Sequence, residues 1–251
     1  MFYHTNMRRL FFLSAGTGLL LIVLVAGYAV THPRPLPPSN EISITIPEGY
    51  RTEQIARVLA DAGLISYETF AERAIPEEGY LFPDTYRLYK KTTPDEIIKK
   101  MKENFERKIA PEVRSEIARQ KKTLSDVVIM ASIVEKEART SEDKKIIAGI
   151  LWKRQKEGIG LQVDATLTYL LGKTSAELTE SDLRIDSPYN TYKYRGLPKG
   201  PISNPGLETI LATVYPTLSP YYYYLSDSNG SMHYARTFEE HKKNKYKYIE
   251  R

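Results

Sequence analysis

The sequence predicts an α+β fold, helical through most of its length, with short strands near both ends of the folded part. Three observations predict it. Residues Ile42 to Ile46 alternate as ISITI, the period of a half-buried strand. Between residues 52 and 154, apolar side chains recur at helical spacing behind capping residues. Near the end, Tyr221 to Ser226, the pair Asn229-Gly230 and Met232 to Ala235 spell a two-stranded hairpin.

Ahead of these elements lies an apolar stretch. Leu10 to Val30 runs 21 residues without a charge, about 30 Å as a helix, which is the thickness of a hydrocarbon layer. A single N-terminal transmembrane helix over 10–30 is expected. Arg8 and Arg9 precede it, so residues 1–9 are expected in the cytoplasm and everything after Thr31 outside. The lipid bilayer is then a partner, and the localisation is single-pass in the plasma (inner) membrane, with a periplasmic or extracellular C-terminal part. A cleaved signal peptide is the alternative, but its apolar core is shorter and ends in a small-residue cleavage site. The Pro-rich segment within 31–40 reads as a stiff stalk.

After the strand, Pro47-Glu48-Gly49 is a turn. Thr52 to Ala62 follows as an amphipathic helix, with Thr52 as N-cap and Gly63 as C-cap. Ser66 caps a short second helix through Glu72. These elements make a small α/β module over 41–75, which serves either to position a ligand or to support the larger domain over 76–251. Glu78 to Tyr86 joins turn formers to large aromatics, and Tyr80 and Phe82 read as packing residues. Helices are expected over Pro94 to Phe105, Pro111 to Ala118, from Thr123 or Ser125 through LSDVVIMASIVEKEA, and over Glu142 to Arg154. After Asp182 a long loop rich in Pro, Gly, Asn and Tyr leads to a helix over Leu207 to Val214.

Composition excludes several chemistries. Apolar residues are 41% and charged residues 27%, with a net charge of +5 and no localised Lys/Arg stripe, so nucleic acid is not expected as a partner. There is no cysteine, hence no disulfide, thiolate ligand or thiol nucleophile. The four histidines, His4, His32, His233 and His241, are scattered, and no metal or cofactor is called for. HExxH, Walker, GxGxxG and GxSxG motifs are missing. Metal-free acid–base chemistry is what remains. The 19 tyrosines suit a half-wet groove, such as one that holds sugars.

The carboxylates of the ASIVEKEA helix are the candidates for that chemistry. Glu137 lies four residues after Ile133 and three after Val134, continuing the apolar face, whereas Glu135 is turned away from it. A carboxyl on the inward face loses water, so its pKa rises toward the range of a general acid. The competing reading is that Glu137 pairs with a base and only fixes the fold.

Five blocks then occur in order: EGYLFPDTY (78–86), ASIVEKEA (131–138), LQVDATLTY (161–169), SPYNTY (187–192) and GLPKGPISNPG (196–206). Together they resemble the endolytic murein (peptidoglycan) transglycosylase family, and IPEGYRTEQIARVLADAGLIS resembles that family's LysM-like region. The resemblance implies an α+β catalytic domain over 76–251 behind a LysM-like module over 41–75. It implies a lyase that cleaves between N-acetylmuramic acid and N-acetylglucosamine of glycan strands and leaves 1,6-anhydro ends. The catalytic residue would be Glu137, acting as acid and then base. Gln162, Asp164, Tyr189, Asn190, Tyr192, Asn204 and His233 would bind the strand, and cell-wall synthesis proteins would be partners. Ala165 stands where the family usually has proline, Lys199 stands in a Pro-Pro-Gly position, and only one LysM-like unit fits. A non-enzymatic wall-binding scaffold and a water-using glycosidase are the alternatives.

Overall fold

The alternating segment forms β1 (Glu41–Thr45), and its partner is β2 (Thr85–Tyr89), antiparallel with Ile44 opposite Tyr86. These coordinates are a computed structural model in which residues 40–249 are described. Between the two strands lie α1 (Thr52–Asp61) and α2 (Tyr67–Ala74). Ile55, Leu59 and Phe70 from these helices meet Ile44, Tyr86 and Leu88 from the strands in a small core. Burying each such side chain stabilises the fold by about 1.5–3 kcal/mol. The same core takes in Ile97 and Met101 of α3 (Pro94–Lys108). Thr93 caps α3 reciprocally with Glu96, and Ser66 caps α2 by accepting from the Thr69 N–H at 3.2 Å.

The larger core forms around α5 (Leu124–Glu137), reached through α4 (Pro111–Arg119). Every residue of α5 from Val127 to Val134 is buried, so this helix is the axle of the domain rather than a surface element. Against it pack α6 (Ser141–Lys156), α7 (Asp164–Leu171) and α8 (Leu207–Val214). A hairpin of β3 (Tyr223–Ser226) and β4 (Met232–Ala235) pairs Tyr224 with Tyr234 and Leu225 with His233. The chain then forms α9 (Phe238–Tyr248), which lies on that hairpin.

Asn204 joins the two cores. Its carboxamide oxygen accepts from the N–H groups of Gly79 (2.8 Å) and Leu81 (2.9 Å). Its amide nitrogen donates to the Tyr50 carbonyl (3.0 Å) and to Glu78 (2.8 Å). Both donors and both acceptor sites are therefore spent inside the protein. Glu78 in turn accepts from the Thr52 N–H at the start of α1, at 3.1 Å. That is why α1 begins with Thr52 already helical and Arg51 in the capping position, one residue earlier than the sequence implies. Gly79 has φ +90°, and a side chain there would collide with Pro201.

One expectation is corrected. Among the described residues no helix is long and apolar enough to cross a membrane, and the segment 10–30 lies outside them. The transmembrane helix, the bilayer as partner and the single-pass localisation rested on that segment alone, and they are not carried further. The cytoplasmic tail over 1–9 and nearly all of the stalk over 31–40 likewise lie outside the described residues.

Asn204→Ala would strand the buried N–H groups of Gly79 and Leu81 and take one donor each from Glu78 and the Tyr50 carbonyl. It is expected to lower unfolding stability by about 3 kcal/mol or more in denaturant titrations. A loss below about 0.5 kcal/mol would show that the joint is not stabilised by this amide.

Candidate active site

The last turn of α5 carries two glutamates with different surroundings. Glu135 bonds to Lys144 of α6 (3.1 Å), the Gly206 N–H (2.9 Å) and the Thr209 hydroxyl (2.5 Å). Its side chain is as buried as the core, at 8% exposure, so the expectation that it turns outward is wrong. Burial on all sides of α5 removes the contrast that helical spacing had suggested. What separates the two carboxylates is their partners.

Glu137, partly buried at the C-terminal end of α5, forms no salt bridge among the described residues. Loss of water pushes its carboxyl up to about 7, and the nearby Asp164 charge adds to the rise. The Tyr224 hydroxyl and the Ala165 N–H, at the start of α7, donate toward the carboxyl and favour the anion, but desolvation outweighs them. The Tyr224 phenol is driven well above its ordinary value by burial and by Glu137. Tyr192 donates to Asp164 at 2.5 Å, and its own pKa is raised by burial, Asp164 and Glu137.

Beside these groups the chain from α6 to α7 makes a tight turn. Gln162 is exposed and holds φ +49°, a conformation costly for a residue with a side chain. Its N–H donates to the Thr191 carbonyl (3.1 Å), and its side-chain oxygen accepts from Arg154 (3.1 Å). The Glu137 carboxyl, the Tyr224 phenol, Asp164 with Tyr192, and the Gln162–Arg154 pair thus form a continuous set at the meeting of α5, α6, α7 and the hairpin. It holds one proton available near neutral pH, next to hydrogen-bonding groups on partly exposed residues.

Of the residues the sequence singles out, Glu137, Gln162, Asp164 and Tyr192 come together here. Tyr189, in the loop after α7, sets its ring 5.3 Å from that of Tyr169 on α7. Asn190 is fully buried: it donates to the carbonyls of Leu183 and Ile185 and accepts from the N–H groups of Tyr192 and Lys193. Asn204 is spent in the joint described above. His233 pairs with Asp227 (2.9 Å) and stacks on Tyr248. It is one residue out of step with Tyr234, the partner of Tyr224, and so lies on the opposite hairpin face. Sequence reasoning missed Tyr224 and Arg154. The run of four tyrosines gives no reason to choose one, and Arg154 stands in the sequence only as the last residue of an expected helix. A pocket of about 590 Å³ between α2 and α3 is remote from this set, and its ions pair off, as in Arg73–Asp95 and Lys102–Glu77.

A folded-state pKa above the ordinary 4.5 means the native protein holds this proton more tightly than the unfolded chain. The contribution to stability is full below about pH 4.5, falls as pH rises toward 7, and is gone above that. Glu78, also pushed up to about 7 by burial, acts in the same window. The comparison of wild type with Glu137→Gln isolates Glu137. At pH 8 the variant is expected to be more stable by on the order of 3 kcal/mol, with the gap closing by pH 4. A gap that does not change with pH would contradict the burial of this charge.

A family profile described as the YceG-like family matches residues 26–247. The chain is 35% identical over 234 residues to the endolytic murein transglycosylase of Bacillus subtilis (strain 168), covering 82% of this chain and 65% of that protein. It is 32% identical over 241 residues to the endolytic murein transglycosylase of Streptococcus pneumoniae serotype 2, covering 80% of this chain and 44% of that protein. It therefore spans less than two thirds of the length of either relative. The crystal structure of a yceG-like protein from Listeria monocytogenes superposes with a TM-score of 0.68 at 34% identity, covering 86% of this chain and 78% of that one. With the profile covering most of its length, this chain belongs to the YceG-like family.

Proposed function

We propose that the protein is a peptidoglycan lytic transglycosylase that cuts glycan strands internally, with Glu137 as its acid and then its base. The observation that carries this reading is the Glu137 carboxyl at the end of α5, faced by the Tyr224 hydroxyl and the Ala165 N–H and paired with no basic side chain among the described residues, where loss of water pushes it up. Its bearing on function comes from the relatives named endolytic murein transglycosylase.

In the proposed reaction, protonated Glu137 gives its proton to the glycosidic oxygen as the bond from C1 of N-acetylmuramic acid breaks. The O6 hydroxyl of the same sugar then closes onto C1, and its proton passes to the Glu137 carboxylate. One bond breaks and one forms, no water is consumed, and the glutamate ends as it began. A second carboxylate to activate water is not required, unlike in hydrolysis. Tyr224 and the Ala165 N–H stabilise the carboxylate between the two steps, which keeps the carboxyl's pKa from rising beyond the useful range. Asp164, held by Tyr192, opposes early loss of the proton. Tyr189 with Tyr169 supplies an aromatic wall for the strand, while Asn190 and Asn204 act by holding loops. The strand–helix–helix segment over 41–75 is proposed as a LysM-like module that positions the strand.

The test is product analysis on purified peptidoglycan. Wild type should release 1,6-anhydro-muropeptides, with kcat/KM falling as pH rises past about 7 while the acid form of the free protein is lost. Glu137→Gln should retain strand binding and lose at least about a thousandfold in rate. Reducing-end products would point to hydrolysis, binding without products from wild type would point to a scaffold, and full activity in Glu137→Gln would remove the assignment.

A further inference from the structure

Arg154 is the only described arginine buried to 6% exposure, and no carboxylate pairs with it among the described residues. A buried cation is normally paired, so its neighbours indicate what it is for. It lies in the last turn of α6, and its Nε donates to the Gly160 carbonyl at 3.0 Å. One Nη donates to the side-chain oxygen of Gln162 at 3.1 Å. Tyr192, Tyr223 and Tyr224 surround it, and burial pushes its pKa down. The turn it closes is the strained one, with Gln162 at φ +49° and Gly160 packed against the Gln162 side chain.

A carboxamide can present either its oxygen or its NH₂ outward, and coordinates alone rarely decide which. Here chemistry decides. Arginine has five N–H donors and no acceptor, so only the Gln162 oxygen can face it. The NH₂ of Gln162, on an exposed residue joined through Arg154 to Tyr192 and Tyr224, is left to donate outward.

We propose that Arg154 is a positioning residue that locks Gln162 as a donor-only contact, and that this contact selects the acetamido carbonyl of an N-acetylated sugar. Sugar hydroxyls both donate and accept, and so do not require a one-way partner. An amide carbonyl only accepts, and the buried guanidinium behind Gln162 disfavours the ammonium of a de-N-acetylated sugar. The proposal rests on the reading of the protein as a glycan-strand enzyme, and it adds which substituent is recognised and by which pair.

The test measures binding with the full chain carrying Glu137→Gln, so that any role of the acetamido group in bond cleavage is excluded. The probes are soluble glycan strands, the same strands chemically N-deacetylated, and those strands re-acetylated. Acetylated and re-acetylated strands are expected to bind at least about tenfold more tightly than deacetylated ones. Adding Gln162→Met, which leaves charge unchanged, should weaken acetylated strands about tenfold and leave deacetylated ones unaltered. Arg154→Met should erase the same preference, and Arg154→Lys, which keeps a donor for the Gln162 oxygen, should retain most of it. Thermal melting checks that each variant folds; should Arg154→Met not fold, the Gln162→Met ratio decides. Equal binding of all strands, or a Gln162→Met loss shared equally by both kinds, overturns the proposal. Failure to bind any strand overturns it together with the functional reading, whereas binding without discrimination overturns this proposal alone.

Discussion

The ion pair between Glu135 and Lys144 is the constraint on which the arrangement around α5 depends. It is buried at both ends, and the same carboxylate also takes the Gly206 N–H and the Thr209 hydroxyl. One side chain thus ties the end of α5 to α6 and to the start of α8. A buried pair of this kind adds little net stability, but removing one partner is costly, so it specifies where the helix end must lie. A Cβ at Gly206 would meet the carboxyl end of the Glu48 side chain, which would have to swing aside. With its final turn fixed in that way, α5 delivers Glu137 to a place where no basic side chain pairs with it among the described residues.

The surroundings of Glu137 follow from elements that meet only in three dimensions. α7 offers the Ala165 N–H, the hairpin offers Tyr224, and the loop before α8 is anchored to α5 through Ser132, whose hydroxyl accepts from the Ile202 N–H at 3.0 Å. Asn204 in that loop then reaches back to Gly79, Leu81 and Tyr50 in the smaller core. The smaller core and the carboxyl are therefore joined through one loop, and a change in Asn204 is felt at both. The last turn of α5 also meets the smaller module directly, where Lys136 donates to the Gly49 carbonyl at 3.1 Å.

Much of this was legible in the sequence where a local rule operates. Capping residues and apolar spacing located α1 through α6 and α8 to within a few residues, and Asn229-Gly230 located the hairpin. α7 was not seen, because Ala165, Thr166 and Leu167 are all buried and leave no polar face to mark a period. β2 is not among the expected elements, only its first two residues falling in the turn-and-aromatic segment Glu78 to Tyr86, since its partner strand lies some 40 residues earlier and pairing at that distance leaves no local trace. α9 has no buried residue at all; Thr237 caps it and its rings lie on the hairpin. At the site, helical spacing turns Glu137 inward and Glu135 outward, whereas the structure draws both carboxyls out of water, and only their partners distinguish them. Asn190, Asn204 and His233 carry motif positions but point into loops or onto another face, and no spacing rule reveals that.

The central claim is that Glu137 still holds a large share of its proton near pH 7 because it is largely withdrawn from water and no described cation pairs with it. The direct measurement is an infrared or carbon-13 titration of its carboxyl in the full chain, assigned by the difference from Glu137→Gln. The account predicts a midpoint near 7. A carboxyl already ionised by the ordinary 4.5 would contradict it, and the proposed chemistry would then lack its acid.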